Sequence, residues 1–361
     1  MIGYSTGEIS TSLMMNSVFA FAMLFYTEAL GLPPALAGVA MAVATFWDGI
    51  TDPVMGQISD KTRSRFGRRH GWLVGGGILM AAGYLLLWVV PEPFQDDNLS
   101  LFAYLLVVNL VFRTAFTVFF VPYMALGFEI CTDYDGRSRI QSIRYVFNMA
   151  ANFLGPAMSW ALFFGDEGGR RGTTNPGNYT AMALVFAAVA VGFVLFVAFV
   201  TRGSIEDTRG NPKQPMAVRA LVRETGGILR DGASAWVFGF VILVILGIST
   251  VSTLQTYVYD IYMDFPAALK SVTHGGTMLG MALGALTGPF LVRRFDKVRS
   301  CVIGGIVNAG CNLTLAAIFL PDYGIHWADF ALLGLPVDFL LFAPLNGLFW
   351  FGFGIMLPVS T

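Results

Sequence analysis

The sequence has little charge, few cysteines and histidines, and no excess of basic residues. Charged residues make up 12% of the chain and the formal net charge is −1, whereas soluble domains carry about 25% charged residues. This balance argues against a nucleic-acid partner. The three cysteines (Cys131, Cys301 and Cys311) and the three histidines follow no disulfide or metal-ligand spacing. No nucleophile–base arrangement or phosphate-binding glycine loop is recognisable, so we expect neither an enzyme nor a cofactor.

Apolar residues are abundant instead. Hydrophobic residues make up 55% of the chain and the mean hydropathy is +0.66, which predicts an all-α integral membrane protein with about ten transmembrane helices. A polar segment, residues 202–233, separates an N-terminal six-helix bundle (1–201) from a C-terminal bundle of about four helices (234–361). The predicted spans are residues 9–31, 35–59, 71–91, 101–128, 141–164, 180–201, 234–258, 270–292, 300–320 and 333–357.

The basic residues predict the orientation of the chain in the membrane. Lys and Arg lie almost entirely in the polar segments that follow the second, fourth, sixth and eighth spans. Because cytoplasmic loops are enriched in these residues, we expect the N-terminus and the central linker to be cytoplasmic, in a plasma (inner) membrane.

Two carboxylates interrupt the second span. Asp48 and Asp52 are the only charged residues between Leu36 and Ile58, and their i, i+4 spacing puts both on one helical face. A carboxylate at the bilayer centre costs roughly 2.5–3.5 kcal/mol on insertion scales, so a positive charge should accompany the pair. A bound cation is one interpretation, with Thr117 as a further oxygen ligand. The other is a structural ion pair with Arg113, a cation inside the fourth span.

An internal repeat supports the two-bundle interpretation. Pro53 is followed by Asp60 and Lys61 at the same distances as Pro289 is followed by Asp296 and Lys297. The second copy carries Gly284 and Gly288 where the first carries the acidic pair. The acidic residues therefore belong to one half only, as expected of a functional site on a repeated scaffold.

The loop from Gly56 to Arg69 resembles the signature cytoplasmic loop of the major facilitator superfamily. Together with Trp47-Asp48-x3-Asp52-Pro53, and with Val121-Pro122-Tyr123 followed by Glu129, it resembles the glycoside–pentoside–hexuronide:cation symporter family, the melibiose-permease group. The resemblance implies a twelve-helix bundle whose coupling cation, Na⁺ or H⁺, binds at Asp48 and Asp52. Since the chain stops after the tenth span, we expect it to be a fragment of a longer product.

The cytoplasmic loops suggest a gate. An acid at a helix end among cations can pair with them and hold one gate state, although a topological cluster of basic residues would look similar. The candidate gate residues are Gly56, Asp60, Arg63, Arg65, Arg68, Arg69, Glu129, Asp133 and Arg137.

The sequence departs from sugar-transporting relatives at two positions. Ser12 and Phe120 stand where melibiose-permease-like members carry sugar-binding aspartates, which puts galactoside recognition in doubt. Polar and aromatic residues on apolar helices remain as candidates, although each could instead make a helix–helix contact. The candidate substrate-binding residues are Asn16, Tyr26, Trp47, Arg113, Tyr123, Asn148, Asn152 and Trp350.

These features predict a secondary active transporter that couples a monovalent cation to a small-molecule solute by alternating access. The resemblance implies a sugar, glycoside or uronide as the solute. Alternatives are a lysolipid or other non-sugar solute, as in a related animal branch, and a non-transporting membrane sensor. We expect a monomer in the lipid bilayer; a carboxylate pair suits Na⁺ and H⁺ equally.

Overall fold

The chain is almost entirely helical in a computed structural model, which describes residues 1–131, 134–166, 170–205, 232–319, 331–332 and 334–356. The α-helices are α1 (Ile2–Ser5), α2 (Gly7–Ser17), α3 (Pro34–Lys61), α4 (His70–Trp88), α5 (Asn98–Ile130), α6 (Tyr134–Asn152), α7 (Met158–Leu162), α8 (Pro176–Val200), α9 (Gly232–Tyr257), α10 (Ala267–Phe295), α11 (Lys297–Phe319) and α12 (Val337–Met356). Short 3₁₀ turns cover Glu92–Phe94, Gly172–Thr174 and Thr201–Ser204. The prediction of an all-α membrane protein is confirmed.

Seven helices in the described part of the chain, namely α3, α4, α5, α8 with the turn after it, α10, α11 and α12, are long and apolar enough to cross a membrane. The other three predicted spans are helical as well. Two of them contain π-helical segments. The first span has two, at Val18–Ala22 and Phe25–Ala29, and the fifth has one, at Phe153–Ala157. The seventh is α9, followed by a π turn at Val258–Tyr262. Such turns insert a residue into an α-helix and occur often at functional sites.

One short β-ribbon was not expected from the sequence. Strands β1 (Ala331–Leu332) and β2 (Leu335–Pro336) pair antiparallel, and Gly334 between them has φ 77°, a conformation that glycine adopts without strain. The last helix consequently begins at Val337, a few residues after the predicted start of the tenth span.

The described chain forms two compact units. Unit 1 contains Met1–Ala151 and Gly172–Thr256, and unit 2 contains Asn152–Arg171 and Tyr257–Thr361. The predicted linker, residues 202–233, lies mostly outside the described residues, so a bundle boundary there remains a prediction.

In unit 1, α4 packs closely between α5 and α8. A Cβ atom on Gly76 would lie 2.8 Å from the backbone nitrogen of Phe119, and one on Gly77 would lie 2.5 Å from Val194. Glycines therefore let these helices approach within backbone contact, a common basis of helix association in membranes. This packing fixes α5, which carries Arg113 and Thr117.

In unit 2, glycines bring α10 against α12. A buried ion pair lies in the segment between the predicted seventh and eighth spans and at the start of the eighth. Lys270 Nζ donates to Asp260 Oδ1 at 2.6 Å, and both side chains are 1% exposed. The Lys270 ammonium also lies 5.2 Å from the Trp160 ring centroid. Burial of two charges is tolerated here because each has a partner at hydrogen-bond distance.

The turns that close the first and seventh spans have the same local geometry, in agreement with the predicted repeat. In the first, Leu32 N donates to Tyr26 O at 2.8 Å and Gly31 has φ 76°. In the second, Phe265 N donates to Tyr259 O at 3.1 Å and Asp264 has φ 47°. A proline then precedes the next helix in both copies.

Candidate functional site

The candidate site lies where α3 and α5 run side by side in unit 1. Trp47 Nε1 donates to Thr114 Oγ1 at 2.9 Å, and farther along both helices the hydroxyl oxygens of Thr51 and Thr117 are 3.4 Å apart. Because the contacting positions advance together along both helices, the two helices are parallel. Positions 48 and 52 on α3 therefore face positions 113 and 117 on α5, one turn apart on each helix.

Each carboxylate of the acidic pair has a partner on α5. Arg113 Nη1 donates to Asp48 Oδ2 at 2.7 Å, and Thr117 Oγ1 donates to Asp52 Oδ1 at 2.7 Å. The structure thus brings together the three predicted cation ligands and two predicted substrate residues, Trp47 and Arg113. The two interpretations of the acidic pair both describe part of this arrangement, since one acid is paired with arginine and the other is not.

The burial of these groups differs. The Arg113 side chain is 5% exposed and that of Asp48 is 25% exposed, while Asp52 belongs to the exposed residues of α3. The Arg113 guanidinium also lies 5.2 Å from the Phe19 ring centroid. Within the described chain, Asp48 Oδ1 and Arg113 Nε are buried without a hydrogen-bond partner. Unsatisfied buried polar atoms are costly and uncommon in folded proteins, and a ligand or water that supplies the missing hydrogen bonds is one explanation for them.

Four predicted gate residues, Asp60, Arg68, Arg69 and Glu129, form a second polar cluster at the ends of α3, α4 and α5. Arg69 donates from Nη1 to Ser59 Oγ at 2.6 Å and from Nη2 to Asp60 Oδ1. Its Nε donates to Glu129 Oε1 at 3.1 Å, and Arg68 Nη2 reaches the same oxygen at 3.2 Å. Arg69 therefore ties the end of α3 to the end of α5.

The remaining gate candidates are less engaged or not described. Arg65 stacks on the neighbouring Phe66 ring at 4.6 Å. Asp133 lies outside the described residues, and the side chain of Arg137 is likewise not described. A gating role for any of the candidates, including those in the cluster around Arg69, remains a prediction.

The structure reveals a third cluster, which contains the predicted substrate residue Asn148 together with Glu8 and Arg144, neither of which was a candidate site residue. Arg144 on α6 donates from Nε and Nη2 to Glu8 Oε2 on α2, at 2.9 and 2.6 Å. Asn148, one turn after Arg144, donates to Glu8 Oε1 at 3.3 Å and to Ser12 Oγ at 2.6 Å. The sequence carries a signal for this cluster. Glu8 is followed four residues later by the hydroxyl of Ser12, and Arg144 is followed four residues later by the amide of Asn148. Each pair lies on one helical face, and the two faces complement each other.

Other predicted substrate residues have partners in the helix packing. Tyr26 is fully buried and its hydroxyl donates to Leu87 O at 2.9 Å. Tyr123 donates to Tyr4 O, while Arg144 lies 5.1 Å from the Tyr123 ring centroid. Asn16 is half-buried on α2. Asn152 and Trp350 belong to unit 2. Substrate contact by any of these remains a prediction.

Comparisons with known proteins identify the family. The profile of the MFS/sugar transport protein family matches residues 3–351. The inner membrane symporter YicJ of Escherichia coli is 28% identical over 207 residues, which are 57% of this chain and 43% of YicJ. Escherichia coli YagG, whose assignment as a glycoside/cation symporter is provisional, is 25% identical over 302 residues, 82% of this chain and 62% of YagG.

A third similar protein is the mouse sodium-dependent lysophosphatidylcholine symporter 1, 27% identical over 157 residues, 43% of this chain and 29% of that protein. The chain spans less than two thirds of the length of each of these relatives. The crystal structure of a D-xylose-proton symporter superposes with a TM-score of 0.64 at 12% identity, covering 99% of this chain and 80% of that one, which shows the shared fold. The chain therefore belongs to the MFS/sugar transport protein family and has the all-α membrane fold of the major facilitator superfamily.

Proposed function

We propose that this chain belongs to a secondary active transporter that couples entry of a monovalent cation, Na⁺ or H⁺, to movement of a sugar, glycoside or uronide. The observation that carries the proposal is the α3–α5 site, where two membrane-embedded carboxylates lie one turn apart and only Asp48 faces an arginine. The family description and the symporter relatives support the same activity.

The site has the chemistry that coupling requires. A cation that joins Asp48, Asp52 and the hydroxyl oxygen of Thr117 neutralises charge inside the membrane, and hard oxygen ligands suit such an ion. If that neutralisation favours the solute-binding state, solute binding must favour the cation by the same factor. At 100 mV, inside negative, each entering charge contributes about 2.3 kcal/mol to solute accumulation.

The cycle we propose is alternating access with the N-terminus on the cytoplasmic side of an inner membrane. In this scheme the cluster around Arg69 is a cytoplasmic latch, because it joins helix ends through Asp60 and Glu129 and breaks when those ends separate. Among the predicted substrate residues, Trp47 lies next to Asp48 and is hydrogen-bonded across the same helix pair, so it can contact a solute close to the cation.

A lysolipid is the second candidate solute. Similarity to the mouse lysophosphatidylcholine symporter favours it, as do Ser12 and Phe120, which replace acids that would bind sugar hydroxyls. The sugar assignment takes precedence because the family profile matches nearly the whole chain, whereas the similarity to the lipid symporter covers 43% of it.

Counterflow in proteoliposomes tests the proposal. The purified full-length protein is reconstituted and loaded with one unlabelled solute of a panel of hexoses, α- and β-glycosides, uronates and lysophosphatidylcholine, with Na⁺ or with choline at two pH values. We expect exchange of a labelled sugar, glycoside or uronate that depends on Na⁺ or on pH. Exchange of lysophosphatidylcholine alone would support the second candidate, and no exchange of any solute would refute the proposal.

A further inference from the structure

The fifth span changes its helical geometry in the middle of its length. Helix α6 ends at Asn152, a π-helical segment covers Phe153–Ala157, and α7 (Met158–Leu162) follows directly. Pro156 lies inside the π-helical segment. Proline has no N–H for the bond to the carbonyl group one turn earlier, and its ring clashes with that carbonyl group, so a helix bends or breaks at such a position.

Two further observations support a bend here. The Ser159 hydroxyl donates to Gly155 O at 2.8 Å, and a hydroxyl bonded to the carbonyl four residues earlier tends to bend a helix. The boundary between the two compact units also falls at this point, since unit 1 includes Ala151 and unit 2 includes Asn152. Residues 152–162, which the predicted orientation places at the outer end of the fifth span, therefore pack with unit 2.

This outer half of the fifth span is docked on α10, the helix of the predicted eighth span. Ser271 Oγ donates to Ala157 O at 2.7 Å. A Cβ atom on Gly275 would lie 3.1 Å from Phe153 Cε2, so glycine lets the two segments approach closely. Both contacts lie on one face of α10, because positions 271 and 275 are one turn apart.

A buried charge strengthens the docking. The Lys270 ammonium lies 5.2 Å from the Trp160 ring centroid, and Trp160 is completely buried. A cation over the face of an indole ring is attracted by the ring, and more strongly where water is excluded. Asp260 accepts a hydrogen bond from Lys270 at 2.6 Å and so holds the ammonium in place. Lys270 thus connects the fifth span with the π-helical segment that follows α9.

We propose that the fifth helix is jointed at Phe153–Ala157, and that its outer half is a gate that closes the outer side of the protein by docking on α10. The gate deepens the proposed function, and its role rests on the alternating access proposed there. Opening breaks the Ser271 hydrogen bond and the contact between Lys270 and Trp160. Because the bend is local, the gate opens without movement of the half of the helix before Phe153, unlike the rocking of two rigid bundles.

A single cysteine at position 271 reports whether the gate is docked. In a protein whose three cysteines are replaced by serine, Ser271→Cys puts a thiol against the backbone of Ala157. A membrane-impermeant maleimide, added to right-side-out vesicles that contain the full-length protein, labels this thiol when the outer half has left α10. The labelling rate therefore measures the population of the open gate.

In this background we expect Trp160→Leu to open the gate. It removes the ring that holds Lys270, so labelling should become at least about threefold faster, in proportion to the larger open population. The matched control is Trp236→Leu, because the Trp236 side chain is 82% exposed, and it should leave the rate as it is. Trp160→Phe keeps an aromatic face for the ammonium and should be labelled almost as slowly as the parent protein.

Pro156→Ala tests the joint independently of the charged contact. Alanine supplies an N–H that can donate to Asn152 O, so the fifth helix straightens, α7 leaves α10 and labelling becomes faster. The matched control is Pro344→Ala, at an exposed proline inside α12, which should label at the parent rate. Gel filtration and thermal unfolding of each variant separate an open gate from a misfolded protein.

An unchanged labelling rate in a folded Trp160→Leu or Pro156→Ala variant would overturn the inference, and so would an equal increase in the matching control. These outcomes are distinct from failure of the proposed function, since labelling is measured without solute. A protein that exchanges sugar but shows no change in labelling refutes the gate and leaves the function standing. A protein whose variants are labelled as expected but which exchanges no solute of the panel refutes the function and leaves the joint intact.

Discussion

The hydroxyl of Thr117 connects the two helices of the candidate site at Asp52, the carboxylate that has no ionic partner among the residues the structure describes. It donates to Asp52 Oδ1 at 2.7 Å and lies 3.4 Å from the Thr51 hydroxyl. This single group can orient the carboxylate and supply an oxygen to a cation. The contribution of this hydroxyl to cation binding can be measured with Thr117→Val, because valine has nearly the same shape as threonine but lacks the hydroxyl.

We therefore predict that Thr117→Val weakens cation affinity about tenfold, since a hydrogen bond to a charged group contributes about 1.5–3 kcal/mol. Thr117→Ser keeps the hydroxyl and should stay close to the original affinity. The cation dependence of solute counterflow in proteoliposomes measures both. Equal effects of the two substitutions would show that the hydroxyl has no part in the site.

A different residue-scale prediction concerns stability rather than coupling. The Arg144 side chain is 6% exposed and bonds Glu8 through two nitrogen atoms. Glu8→Gln leaves the arginine buried without its counter-charge, which should cost about 3–5 kcal/mol. We expect a clear decrease in the melting temperature in detergent. Glu8→Gln/Arg144→Gln should recover most of it, and a double variant less stable than Glu8→Gln would contradict the pairing.

At the scale of elements, the contact between α10 and α12 in unit 2 depends on glycine. Two glycines of α10 differ in how closely α12 approaches them. A Cβ atom on Gly280 of α10 would overlap the carbonyl oxygen of Gly347 on α12, whereas one on Gly276 would meet no atom of the described chain within 4 Å. Both residues are glycines within the same helix, so replacing either by alanine changes helix propensity equally. The two substitutions differ only in whether the new methyl group meets α12.

Gly280→Ala should therefore destabilise the protein by about 1–3 kcal/mol through overpacking. Gly276→Ala should be neutral or slightly stabilising, because alanine favours a helix over glycine. Thermal unfolding of the two variants in the same detergent gives the comparison. Equal melting temperatures would mean that α10 and α12 do not pack at this glycine.

The cluster at the ends of α3 and α5 gives the second element-scale prediction. Arg69 contacts Ser59, Asp60 and Glu129, whereas the nearby Arg65 contacts only its neighbour Phe66 among the ring and ion-pair contacts of the described chain. Arg69→Gln should release the proposed latch and broaden the distance distribution between spin labels at these helix ends. Arg65→Gln, with the same charge change, should leave the distribution as it is; identical behaviour of both would refute the latch.

At the scale of the whole molecule, composition and apolar run length were sufficient to predict the membrane fold, because lipid requires helices of defined length. The acidic pair could be located for the same reason, since charge in an apolar span is conspicuous. Its partners were only partly predictable: Arg113 stood out as a charge within a span, but the parallel register that joins it to Asp48 depends on tertiary packing.

Other features could not be predicted from sequence alone. Glu8 and Arg144 sit near span ends, where charges are ordinary, so their i+4 patterns with Ser12 and Asn148 suggest a pairing that only the spatial contact establishes. Asp260 falls between the predicted seventh and eighth spans and Lys270 at the start of the eighth, yet the structure buries them against each other. Side chains that pair across distant segments are therefore hidden from single-sequence patterns until the packing is known.

The proposed activity depends on two carboxylates, Asp48 and Asp52, that couple a cation to a solute. The most direct test is cation-driven uptake into proteoliposomes by the full-length protein, by Asp48→Asn and Asp52→Asn, and by Asp96→Asn, a matched control at an exposed loop position. We predict that both site variants lose cation-driven accumulation although they are reconstituted normally, while the control retains it. Cation-dependent uptake at the original rate in both site variants would contradict the central claim.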